Sequence, residues 1–184
     1  MSDLFVDNIK HQSSQGSGTI TLGASGETIA LASGATAGFG KIAQVIQSTN
    51  STSQTFSTLA DTASSLSVSI TPSSTSSKIL IFASCAIQTQ PNTSGADHGC
   101  AVNLRKGASI VLAQTRSTNY TAAGNTISKR TINIQYLDSP ATTSATTYTI
   151  SINPYQNNGG STVIMNVNFQ GTDTSVITAM EILP

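Results

Sequence analysis

Three stretches of this chain alternate apolar and polar residues one for one: Ser65-Leu66-Ser67-Val68-Ser69-Ile70, Thr131-Ile132-Asn133-Ile134-Gln135-Tyr136-Leu137 and Tyr148-Thr149-Ile150-Ser151-Ile152. A period of two sends successive side chains to opposite faces of an extended backbone, so each stretch reads as a strand with one buried side. Turn residues end them: Thr71-Pro72-Ser73-Ser74 after the first, Asp138-Ser139-Pro140 after the second and Pro154 after the third. Lys78 to Gln88 is almost continuously apolar, as expected of a strand covered on both faces. Residues 99–105 and 109–116 flank Arg105-Lys106-Gly107-Ala108, a hairpin turn with Gly where positive φ is tolerated. Strands are also expected from Lys41 onward, over Val163 to Phe169 and over Val176 to Leu183. No stretch shows a convincing 3.6-residue period. The expectation is an all-β chain of eight or nine strands, folded as an antiparallel β-sandwich of jelly-roll type.

Composition narrows the function classes. Charged residues make up 9% of the 184 residues, against about 25% in an average soluble domain. The 28 Ser and 27 Thr take their place, and Thr suits a pleated, half-wet surface. With 8 basic and 8 acidic side chains there is no excess to neutralise phosphates, which argues against a nucleic-acid partner. The most apolar run, Ile79 to Ile87, is far short of the ~20 residues a membrane-spanning helix needs. The opening Met1-Ser2-Asp3-Leu4-Phe5-Val6-Asp7 carries acids and no apolar core, so it does not read as an export signal. Cys85 and Cys100 are then expected as two small buried thiols.

Residues 1–40 differ from the rest. Thr19-Ile20-Thr21-Leu22 is echoed nine residues later by Thr28-Ile29-Ala30-Leu31, and each is followed by a Gly-containing turn. Strands this short need stacked neighbours or other chains, so a short β-stalk is expected over 1–40 and a sandwich head over 41–184. The head itself looks too apolar for its loops to cover, with Ile79, Ile81, Ile110, Leu112, Ile132, Ile134, Ile150, Ile152, Ile164 and Ile177 in so lightly charged a chain. A homo-oligomer burying one sheet face follows, and a trimer would also give the stalk strands their neighbours.

Several segments carry a resemblance. Tyr136 to Thr149, with its Asp138-Ser139-Pro140-Ala141-Thr142-Thr143 turn, resembles a segment of structural proteins of marine and cyanobacterial phages. Ser175 to Ile182 looks like the last strand of the same group, and Leu4-Phe5-Val6-Asp7-Asn8-Ile9-Lys10 is similar to the N-termini of short tail-fibre-like proteins. The strand plan is similar to trimeric jelly-roll heads of the C1q/TNF type. The resemblance implies a virion appendage assembled in the host cytoplasm, attached to other virion proteins through Leu4, Phe5, Val6 and Ile9. It brings no catalytic residues.

The residues point the same way. The only histidines are His11 and His98, no Gly-X-Ser-X-Gly elbow occurs, and Asp61, Asp97, Asp138, Asp173 and Glu181 are not paired by spacing. Asp97-His98 near Cys100 falls short of the four ligands of a closed zinc site. No enzyme, cofactor or metal is expected. Antiparallel parity instead gathers loops 48–64, 89–98, 117–128 and 155–160 at one end, and turns 71–77, 106–108, 138–145 and 171–174 at the other. The long-loop end holds Asn92, Asp97, His98, Asn119, Tyr120, Tyr155, Gln156, Asn157 and Asn158, and Tyr and Asn suit sugar rings and hydroxyls. The stalk would enter at the opposite end, unless Thr55 to Leu59 forms a further strand. The expected function is a homotrimeric tail fibre or spike that adheres to a host-surface glycan. The alternatives are a capsid fibre, decoration protein or tail adaptor that binds no receptor, and a C1q-type secreted lectin, which the lack of an export signal disfavours.

Overall fold

The computed structural model describes residues 42–91, 96–114, 117–121, 126–157, 161–166 and 173–184. The expected stalk, and with it Leu4, Phe5, Val6 and Ile9, lies outside them. The described chain forms eleven strands: β1 (Ile42–Asn50), β2 (Gln54–Phe56), β3 (Thr62–Ile70), β4 (Lys78–Pro91), β5 (Ala96–Lys106), β6 (Ser109–Leu112), β7 (Ser117–Thr121), β8 (Ser128–Asp138), β9 (Thr146–Asn157), β10 (Ser161–Met165) and β11 (Ser175–Ile182). Every pairing is antiparallel, and no helix occurs among the described residues.

The strands form two sheets. In the first, β4 pairs with β8 on one edge and with β11 and β10 in succession on the other, and β1 and β2 lie outside β11 and β10. In the second the order is β3-β9-β5-β6, with β7 further along the same edge of β5 as β6. Three pairs, β1/β2, β6/β7 and β10/β11, therefore act as single strands interrupted midway. Counted that way, eight strands run 1-8-3-6 in one sheet and 2-7-4-5 in the other, a jelly roll. The antiparallel β-sandwich read from the sequence is the fold of the described residues.

Alternation builds the core. Leu66, Val68 and Ile70 of β3 and Tyr148, Ile150 and Ile152 of β9 face Ile79, Ile81, Ala83, Cys85 and Ile87 of β4 across the sandwich. Cys85 and Cys100 are buried and unbridged. Burial, with the Cys100 thiol nearby, pushes Cys85 up to about 12; burial lifts Cys100 to about 11 against the pull of Arg130. Neither thiol forms appreciable thiolate at neutral pH.

Two expectations are corrected here. The strand read at 109–116 stops at Leu112 and resumes as β7. The turn expected at 171–174 lies partly outside the described residues, but β10 and β11 run in the same direction along one edge of β4, so they are not related by a reversal at the short-turn end. The cause is local. Asn166 takes a left-handed conformation (φ 59°), donates its N–H to Ala86 O (3.0 Å) and its side-chain amide to Thr52 O (3.1 Å). Ser175 Oγ accepts from Ala86 N (3.0 Å) and donates to Asn166 Oδ1 (2.6 Å), so side chains replace the ladder bonds that the break removes. As a result β11 ends beside the start of β1, where Ile42 lies opposite Ile182. β2 exists, but it continues in the direction of β1 and does not reverse the parity.

The end where β1 begins, called the base below, is closed by two buried carboxylates. Asp138 at the end of β8 accepts from Tyr148 Oη (2.6 Å) and from Lys106 Nζ (2.9 Å), joining the two sheets. Burial, with the Tyr148 hydroxyl donating a hydrogen bond to the Asp138 carboxylate, raises Tyr148 well above the usual phenol range. Glu181 of β11 is fully buried; it accepts from Ser73 N (2.7 Å), Ser73 Oγ (2.6 Å) and Gln44 Nε2 (2.6 Å). Desolvation works to raise its pKa, but these hydrogen bonds outweigh it and hold the group at about 2. A carboxylate depressed from its ordinary 4.5 contributes stability that is complete above about pH 5 and is lost as the pH falls towards 2. Glu181→Gln should therefore lower the unfolding free energy at pH 7 by about 1–3 kcal/mol and flatten its decline between pH 5 and 2. Urea titrations of both proteins at pH 7, 5 and 3 check this; parallel pH profiles would contradict it.

Candidate binding surfaces

At the end away from the base, β7, β5 and β9 lie side by side. Asp97 pairs with Tyr120 on β7 and with Asn157 on β9; His98 pairs with Asn119 and Gln156; Gly99 pairs with Thr118 and Tyr155. The register thus brings Asp97, His98, Asn119, Tyr120, Tyr155, Gln156 and Asn157 into adjoining rows. Asn92 and Asn158 lie outside the described residues. The sequence placed these residues in loops, and the structure places them on strands. Ser117-Thr118-Asn119-Tyr120-Thr121 contains no aliphatic residue, so the apolar-polar alternation that betrays a strand is missing from β7.

Strand parity separates these residues further. On β5, Cys100, Val102 and Leu104 point into the core, and His98, 1% exposed, lies on the same side. A side chain buried there cannot meet a ligand on the surface. Asn119 shares the inward row and, with its amide oxygen turned towards β8, accepts from Ser128 Oγ (2.8 Å). Arg130 of β8 donates to Ser117 Oγ and to Ser128 Oγ (3.1 Å), so β7 and β8 are laced together and one side of the sandwich is closed. The outward row is different. Tyr120 is 68% exposed, and Asp97 and Tyr155 are partly exposed.

Gly99 fixes how close β7 comes to β5. A Cβ at this position would sit 1.9 Å from the carbonyl oxygen of Ser117 and 2.9 Å from Thr118 Cα, both backbone atoms. Only glycine allows the approach that sets Tyr120 beside Asp97.

Farther down the same outer face lies Asp61, one of the carboxylates that sequence spacing leaves unpaired. It accepts from Asn103 Nδ2 (2.8 Å), Ser151 Oγ (2.9 Å) and Arg105 Nε (2.7 Å), and it forms an ion pair with Arg105. This network pins the segment before β3 over β5 and β9. With its amide nitrogen turned towards the carbonyls, Asn153 donates to Leu59 O (3.1 Å) and anchors the same segment. Sequence spacing gives no hint of it, because the partners are 42 to 90 residues apart.

The outer face of the first sheet is polar in part but carries one apolar row. Val45, Met180, Leu80 and Leu137 stand opposite one another on β1, β11, β4 and β8, a row across the full sheet. Val45 is 54% and Leu137 48% exposed. Phe82, in the adjoining row, lines a hollow of about 470 Å3 with Ser84, Asn133, Gln135, Val176 and Thr178. Ile79, Ile81, Ile134, Ile150, Ile152 and Ile177, expected to overload the head, are absorbed by its own core. Ile42, Leu59, Ile110 and Ile127 are exposed singly elsewhere, so this row is the continuous part of the residual apolar surface. Among the described residues, no three of His, Cys, Asp and Glu are grouped to hold a metal ion.

No protein-family model matches the sequence, and no curated protein matches it either. Among solved structures, the chain is similar to one from infectious bursal disease virus strain Gt, at 14% identity and a TM-score of 0.39, covering 86% of this chain and 42% of that one. A structure of strain Gx gives 17% identity and a TM-score of 0.38, over 77% of this chain and 37% of that one. A VP2 subviral particle of the same virus gives 12% and 0.37, over 76% and 37%. The chain spans about two fifths of the length of these chains.

Gly99→Ala should push β7 off β5 and cost about 1–3 kcal/mol, the usual penalty for forcing atoms into a filled space. The change is read as a lowered denaturation midpoint, together with faster amide exchange in 117–121 than in β4. Unaltered exchange in β7 would contradict the close approach.

Proposed function

We propose that this chain is a structural protein of a virion, a homotrimeric tail fibre or spike whose jelly-roll head adheres to a host-surface glycan. The apolar row Val45–Met180–Leu80–Leu137 carries the oligomer part of the reading. A row of aliphatic side chains crossing a whole sheet, with Phe82 beside it, is unusual on a monomer's surface. A second and third copy of the same face are the partners that closed symmetry supplies. The phage-like segments Leu4 to Lys10, Tyr136 to Thr149 and Ser175 to Ile182 support the virion part. Residues 1–40 attach to other virion proteins, with Leu4, Phe5, Val6 and Ile9 as the contact, and assembly takes place in the host cytoplasm. Within the head, the β7-β5-β9 end lies opposite the end where β1 begins.

Light scattering on the full chain should give about 57 kDa, three times 18.9 kDa, with little change between low and moderate salt, because apolar burial holds the assembly. Leu80→Glu should shift the mass towards one copy while leaving the sandwich folded. A wild-type monomer would remove the trimer from the reading. Deleting the head from the particle separates the two virion roles: lost adsorption supports the adhesin, whereas intact adsorption with a fragile particle supports a purely structural fibre or decoration protein.

A further inference from the structure

We infer that the outward row of β7, β5 and β9 forms a binding strip for a neutral oligosaccharide, with Tyr120, Tyr155 and Leu59 as apolar posts and Asp97 as the hydroxyl-binding group between them. This rests on the adhesin reading and specifies its ligand. Tyr120 stands directly across from Asp97 on the neighbouring strand, and Tyr155 lies on the opposite side of β5, one outward position along. From strand spacing and rise, the two tyrosines are about 12 Å apart, with Asp97 adjacent to one and diagonal to the other. Asn153, two residues before Tyr155, holds the Leu59 carbonyl, and the Leu59 side chain is 58% exposed. The segment pinned by Asp61 therefore forms the lower wall of the strip and supplies a third apolar post.

The chemistry of this strip selects its ligand. Sugar rings present apolar C–H faces that pack on aromatic and aliphatic side chains, and adjacent hydroxyls that donate to a carboxylate. Posts this far apart serve separate rings of a chain rather than a single sugar. Around Tyr120, Asp97 and Tyr155 the described residues of these three rows include no Lys or Arg, and Arg105, farther down the face, is already paired with Asp61. A sialylated, uronic or sulfated glycan would bring its anion against Asp97 with no cation among the described residues of these rows to offset it. Hydroxyl-rich, uncharged sugars carry no such penalty.

The test uses the full-length protein on immobilised neutral, sialylated and sulfated oligosaccharides, with monosaccharides of the same types. Binding to neutral oligosaccharides is expected, stronger than to their monosaccharides. Tyr120→Ala should weaken it about tenfold, and Tyr155→Ala should weaken it as well. Asp97→Lys should lose the neutral ligands and gain acidic ones. Light scattering confirms that each variant keeps the wild-type assembly. Binding confined to acidic glycans, equal binding by Tyr120→Ala, or no glycan bound at all would overturn the strip. The same proteins are then used to compete with particle adsorption. If wild type and Tyr120→Ala block equally, the head is an adhesin but the strip is wrong; if wild type does not block, the adhesin reading itself fails.

Discussion

β4 is the strand on which the sandwich is built. Its fourteen residues pair along one edge with β8 from Ile79 to Thr89, and along the other with β11 and then β10. Such a strand has no free edge, and its inner side chains Ile79, Ile81, Ala83, Cys85 and Ile87 occupy the middle of the core. Backbone polar groups this deep require partners, so any irregularity in the strands alongside must be repaired from side chains. Asn166 and Ser175 make that repair: one supplies the left-handed turn out of the edge, the other takes the Ala86 N–H left behind. β4 stays regular, and its neighbours absorb the break.

The outer edges are managed by similar means, with few charges. β3 shifts register between Ala63 and Ser67, and Ser64 patches the gap by donating to Ile150 O (2.8 Å) and accepting from Leu66 N (3.2 Å). Gln54 Oε1 takes the Ser65 N–H on the far side of the same strand (2.8 Å). A bulge and a side-chain cap both hinder another strand from adding there. The 55 Ser and Thr residues thus do more than keep a sheet wet: several stand in for backbone partners where the ladder fails.

Legibility in the sequence follows directly from this economy. Where a strand buries aliphatic residues on one face, as β3, β8 and β9 do, the period of two is plain, and the jelly roll follows from it. Where a strand turns hydroxyls and amides inward instead, as β7 does with the half-buried Ser117 and Asn119, the signal vanishes and the stretch reads as loop. The interruption of β10/β11 was hidden for another reason. A break within a strand and a turn between strands use the same small polar residues, and only the pairing along β4 tells them apart. Parity still carried Asp97, Asn119, Tyr120 and Tyr155 to one end, because β1/β2 and β6/β7 each keep a single direction. It could not show that His98 and Asn119 face inward, which requires the register.

The two outer faces of the sandwich differ in kind, and this determines how they can work together. One bears an aliphatic row with Phe82; the other bears Tyr120, Asp97 and Tyr155 above a pinned polar network. Because they lie on opposite sides of a two-layer structure, burying the first in an oligomer leaves the second facing out. A closed trimer would then display three identical strips on one rigid body. Sugar binding at a single shallow strip is weak, since a few stacking contacts must offset the ordering of a flexible chain. Three strips engaging a surface dense in the same glycan convert later contacts into intramolecular events, and avidity can exceed the single-site affinity by factors of about 100 or more. A shallow site with a single carboxylate is therefore sufficient for an oligomeric adhesin, whereas a monomer would need a deeper pocket.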